Sequence, residues 1–159
     1  MNEKEYQKLL DIGNHLKRIN SKIKLLSLLN KAKKEYEQNQ LNDCKISCKE
    51  ILKNEPENPA ALRGLGCVAQ AEDQFEKALE YYKKALLYSN KKEIEYTLIG
   101  TIYYLEDNLE EAIKYYNFAI DSNDDYEKAY EGRNQSLLEH HLKIADLQDN
   151  LIKKFIIHV

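Results

Sequence analysis

The sequence predicts an all-α fold, an α-solenoid in which antiparallel helix pairs stack one on the next and flanking helices close the ends. Three observations predict it. Charged residues make up 32% of the chain while glycine and proline number only five and two, so helix formers dominate and helix breakers are rare. Runs of alternating β-branched residues are missing, which argues against a sheet. Apolar residues instead recur at helical spacing: Leu62, Leu65, Gly66 and Ala69 fall at i, i+3, i+4 and i+7, and Phe75, Ala78, Leu79, Tyr82 and Leu86 continue the pattern after the polar "AEDQ". Finally, the pattern repeats. A step of 34 residues carries Leu62 to Tyr96, Leu65-Gly66 to Ile99-Gly100, Phe75 to Leu109, Ala78 to Ala112, Tyr82 to Tyr116 and Ala85 to Ala119.

Each element follows from these signals in chain order. Residues 1–24 are expected as an amino-terminal helix, with Tyr6, Leu9, Leu10, Leu16 and Ile19 on one face as a lid or extra helix before the repeats. Three repeats follow, at 25–58, 59–92 and 93–126. The first is the most divergent and carries Leu28, Ala32, Leu41, Cys44, Cys48 and Ile51 at the repeating positions, with Pro56 near its end. Each repeat reads as two amphipathic helices joined by a short polar turn. Gly66 and Ala78 let the paired axes approach, and Phe75 and Tyr82 fill the space beside them. One hairpin cannot bury both of its faces, so neighbours must stack. Residues 127–159 are expected as a capping helix that continues into an extended amphipathic one through Ile144, Leu147, Leu151, Ile152 and Phe155. Its apolar end, "FIIHV", predicts a docked terminus: on the last repeat, in a groove, or against a second copy.

Composition also bounds function. The net charge is -3, with a mildly basic stretch to residue 53 and an acidic remainder. Neither part has the dense Lys/Arg stripe that a phosphate backbone requires, so nucleic acid is excluded as a partner. No segment reaches membrane-spanning length and no apolar leader follows the first charges, so a cytoplasmic protein away from membranes is expected. Cys44, Cys48 and Cys67 are an odd count at irregular spacing, which fits a reducing compartment. No phosphate loop, nucleophile–base pair or metal-ligand spacing is present. Cys44 and Cys48 share a helix face without a second ligand pair, and His140 and His141 point to different sides of a helix. The expectation is a protein that is not an enzyme and has no cofactor, no metal and no catalytic residue.

Residues 25 to 126 resemble the tetratricopeptide repeat. The second copy matches its signature at Leu65-Gly66, Ala78, Tyr82 and Ala85, and the third at Tyr96, Gly100, Tyr103, Ala112, Tyr116 and Ala119. Ala32, Glu35, Cys44 and Cys48 depart from it in the first copy. The resemblance implies a superhelix whose first helices line a concave, peptide-binding groove. It places on that groove Leu29, Lys33, Arg63, Cys67, Gln70, Ile94, Thr97, Leu98, Thr101, Tyr104 and Leu105. The third of these stripes is largely apolar, so the expected partner is a protein or peptide with an apolar segment, oriented by Arg63 and Lys33. Thr97, Leu98 and Thr101 stand where chaperone-docking relatives place basic residues, which disfavours a carboxylate-terminated Hsp70- or Hsp90-type tail. The "GLGCVAQA" stretch is also similar to the chaperones of type III secretion translocators, which implies a secretion chaperone as the alternative. A structural protein that self-associates as a homodimer through the carboxy-terminal helix is the other.

Overall fold

In the computed structural model, which describes residues 3–157 and the side chains as far as Lys154, every regular element is a helix. The order is α1 (Glu3–Glu37), α2 (Leu41–Asn54), α3 (Pro59–Ala71), α4 (Phe75–Tyr88), α5 (Lys92–Leu105), α6 (Leu109–Ser122) and α7 (Glu127–Ile157). None of the described helices is long and apolar enough to cross a membrane.

Local chemistry explains where the helices stop and turn. The α1–α2, α3–α4 and α5–α6 turns each hold one residue in the left-handed region, Asn39 at φ 58°, Asp73 at 55° and Asp107 at 63°. Asn and Asp tolerate this conformation better than other non-glycine residues. The residue after each one donates its N–H back to the ending helix, Gln40 to Glu35, Gln74 to Ala69 and Asn108 to Tyr103, all at 2.8 Å. Three identical turns therefore impose one hairpin geometry. Between hairpins, α3 begins with Pro59 in the first turn, and the Asn58 side chain accepts from the Ala61 N–H at 3.0 Å. That combination starts a helix abruptly.

The hairpins α1–α2, α3–α4 and α5–α6 stack in sequence, and α7 packs on α6 and α5. The core runs along the stack as a chain of small residues, with one large wedge, Tyr82 or Tyr116, in each of the second and third hairpins. Cys44, Ala78 and Ala112 are fully buried, as are Ile51, Ala85 and Ala119 two turns further along the same face. First helices approach one another across hairpins, α1 packing on α3 and α5 on α7, with α3 and α5 linked by Arg63 and Glu95, while no comparable contact joins α2, α4 and α6. The first helices thus form the inner side of the curve. On the outer side Tyr115 stacks on Tyr103 at 5.3 Å and meets Phe118 edge-on at 5.8 Å, so this aromatic cluster holds neighbouring helices together.

A glycine is required where that stack is tightest. A Cβ added to Gly66 would lie 2.4 Å from the ring of Tyr82, which is itself fully buried and cannot swing aside. Gly66→Ala is therefore expected to cost about 1–3 kcal/mol by overpacking, despite alanine's better helix propensity. A chemical denaturation midpoint equal to or above wild type would refute this.

The flanks differ from expectation. No break separates an amino-terminal helix at residue 24: Glu3–Glu37 is continuous, because Ile23 to Leu29 extend the helical spacing without a cap or breaker. The lid expected from residues 3–20 is not formed, since Tyr6, Leu9, Leu10, Leu16 and Ile19 are all exposed. At the other end, α7 packs on the array through Ala129, Gly132 and Ser136, and every described side chain from His141 onward is exposed. The side chains of Phe155 and the "FIIHV" end, on which the docked terminus rested, lie outside the described residues.

Candidate binding cleft

The second helix of each hairpin carries one wedge residue, Cys48, Tyr82 or Tyr116, at the 34-residue step. Each is held between its own hairpin's first helix and the next one. In the third hairpin both supports are glycines: a Cβ on Gly100 would meet the Tyr116 ring at 3.0 Å, and one on Gly132 at 2.4 Å. In the second, Gly66 lies under Tyr82 and Leu98 packs on the same cluster. The phenols reach the inner side of the curve. Tyr82 donates to Gln70 Oε1 at 2.8 Å and lies 3.5 Å from the Cys67 sulfur, and the Tyr116 hydroxyl is 3.3 Å from Thr101 Oγ1.

The first hairpin lacks that plug. Cys48 sits between Ala32 and Gly64, where a Cβ on Gly64 would approach its sulfur to 2.6 Å. A thiol ends where a phenol would continue, and the positions that a phenol would touch, by the same 34-residue step, are Lys33 and Tyr36. Both line an open cleft of about 310 Å³ between α1 and α3. Its floor is Ala32, Cys44, Cys48 and Gly64, its walls are Leu29, Ala60 and Cys67, and its rim carries Asn30, Lys33, Tyr36 and Arg63.

The structure divides the expected groove residues between two places. Leu29, Lys33, Arg63 and Cys67 come together in this cleft. The other seven lie outside it. Gln70 is engaged by Tyr82. Thr97 is buried, Leu98 packs into the core, and Thr101 donates to the Thr97 carbonyl at 2.9 Å. Tyr104 donates to Glu139 of α7, which holds the Glu139 carboxyl below its ordinary range. Ile94 is half-buried and Leu105 is exposed.

The rim is electrostatically uneven. Lys33 is 76% exposed at its side chain and pairs with the likewise exposed Glu37 at 3.7 Å. Arg63 is more tightly held: its Nη1 donates to Glu95 Oε1 at 2.9 Å, and the Glu95 side chain is 0% exposed. Burial pushes the Glu95 carboxyl up, and Arg63, with smaller help from the Ser89 hydroxyl, pulls it back. Burial likewise raises Cys44 and Cys67, and pushes the Cys48 thiol up to about 12. These thiols stay protonated and act as small apolar groups, not as nucleophiles. No group of three or more His, Cys, Asp or Glu that could hold a metal occurs among the described residues.

Sequence reasoning missed Tyr36, Ala60 and Glu95. Two of them were within reach of the repeat, since stepping back from Ile94 reaches Ala60 and stepping back twice from Tyr104 reaches Tyr36. Glu95 carried no such signal, because a carboxylate between Ile94 and Tyr96 reads as a solvated position.

No family model and no curated protein matches the sequence. The fold matches solved tetratricopeptide-repeat domains. A mutant O-GlcNAc transferase of Thermobaculum terrenum superposes with a TM-score of 0.66 at 19% identity, over 71% of this chain and 22% of that one, so the chain spans about a fifth of that protein. The first repeat domain of Spaghetti (RPAP3), solved with an HSP90 peptide bound, gives 0.65 at 17% identity over 74% and 93%. The Sgt2 domain of Aspergillus fumigatus gives 0.67 at 16% over 77% and 82%.

Proposed function

We propose that this tetratricopeptide-repeat chain is a non-catalytic interaction module. It holds a short peptide or helical segment of a partner protein along the inner side of α1, α3 and α5, with one large apolar side chain inserted over Cys48. The observation that carries this reading is the missing plug: two hairpins fill the wedge position with tyrosine, and the first opens an apolar cleft there. Small apolar sites with a few placed polar groups are where ligands gain affinity. Lys33 and the outer edge of Arg63 orient the segment, which continues across Ile94 toward Leu105. The neighbour solved with a bound peptide supports peptide capture as the mode of action.

The test closes the cleft with the repeat's own solution. Peptides selected from a displayed random library on the wild type are expected to lose at least tenfold in affinity, about 1.4 kcal/mol, on an Ala32→Gly/Cys48→Tyr variant. Its thermal melt should stay at or above wild type, because that pair reproduces the Gly66–Tyr82 contact. Equal affinity for a folded variant would rule the cleft out as the binding site.

A further inference from the structure

The amino-terminal part of α1 presents a second surface, unconnected with the cleft. Leu9, Ile12, Leu16, Ile19, Ile23 and Leu26 follow one another at alternating steps of three and four, and all six are 40–59% exposed. That is three consecutive a/d pairs of a coiled-coil heptad, with Leu9, Leu16 and Ile23 at a and Ile12, Ile19 and Leu26 at d. A surface patch for a flat or irregular partner needs no such alternation.

The same helix meets the repeats with its opposite side. Leu25, Leu28 and Leu29 pack on the first core cluster and Ala32 and Glu35 are buried. At about 100° per residue, these lie roughly opposite the a/d seam. Copies joined along the seam therefore carry their arrays outward, without collision.

We infer that this seam binds further copies of the same chain, side by side and parallel. Charge sets the orientation. The g positions hold Lys8, His15 and Lys22, and the e positions hold Tyr6, Gly13, Asn20 and Ser27. In a parallel assembly each g residue faces an uncharged e residue, whereas an antiparallel one sets g against g and brings the lysines together. Area permits it: six half-exposed Leu and Ile side chains offer on the order of 600 Å² per helix, so a pair buries about 1,200 Å², the lower bound of a specific interface. Leucine at a with isoleucine at d, as in two of the three pairs, favours three or four strands over two, and each helix then buries more.

Sedimentation equilibrium of the full chain across low to high micromolar concentration tests this. The wild type is expected to sediment as three or four chain masses. Ile12→Lys/Ile19→Lys is expected to give one chain mass with unchanged helical circular dichroism, and Leu16→Cys is expected to form a disulfide between copies under mild oxidation, since like layers meet in a parallel bundle. Truncation after Leu142 should leave the mass a multiple. A wild type that is monomeric throughout would overturn the inference and assign the seam to a different protein or a lipid surface. A multimer that the double lysine variant leaves intact, or that the truncation alone dissolves, would overturn it as well.

Discussion

Tyr82→Ala is expected to lower stability by about 3–5 kcal/mol, the range for removing a large aromatic from a packed core. The ring is fully buried, rests against the α3 backbone at Gly66 and packs in the same cluster as Ile99 and Ile102 of α5. It thus joins the second hairpin to the third as well as closing its own. In a stacked array, where stability is a sum of hairpin and nearest-neighbour interface contributions, that position affects both. Gly66 offers no side chain to fill the void, and Gln70 loses its 2.8 Å donor. Tyr82→Phe separates the two effects and should cost about 1 kcal/mol for the hydroxyl alone. Urea unfolding measures both variants. A loss below about 2 kcal/mol for the alanine variant would mean that the array relaxes around the gap and that the wedge is not what holds the stack.

Arg63→Ala is expected to cost about 3 kcal/mol near neutral pH, because it strands Glu95 as a buried charge. The pH dependence identifies the cause. The folded protein holds the Glu95 proton to higher pH than the unfolded chain does, since burial raises its pKa above the ordinary 4.5. The folded state then binds more protons between 4.5 and the raised value, so stability falls as pH climbs through that window and is level above it. Without the guanidinium the folded pKa rises further, and the fall extends to higher pH and deepens. Lowering pH should therefore restore much of the loss in Arg63→Ala, while Glu95→Gln should flatten the profile in either background. Denaturant unfolding from about pH 5 to 8 on the four proteins reads this out. Parallel profiles for wild type and Arg63→Ala would show that Glu95 is solvated by another route.

The same pair revises what Arg63 does. From the sequence it is a free cation on the groove, and in the fold one of its N–H groups is committed to Glu95. Lys33, exposed and paired only at 3.7 Å with Glu37, is left as the more available positive charge beside the cleft. The apolar third stripe changes too, because Leu98 serves as support for the Tyr82 cluster and Tyr104 is tied to Glu139. Residues at equivalent steps along the repeat face the same direction without having the same neighbours.

What the chain determines by itself is local and periodic. Helical spacing, polar turns with Asn or Asp at 39, 73 and 107, and small residues at 66, 78, 85, 100, 112 and 119 specify hairpins that stack, because each of these signals acts within a few residues or repeats at a constant interval. The cleft and the buried ion pair were decided by tertiary structure. Their existence depends on how far the side chain of Cys48, seated against Gly64 of α3, falls short of Lys33 and Tyr36 of α1, and on whether α3 shields Glu95 of α5 from water. Such distances arise only when three helices have met, and no spacing along one helix encodes them.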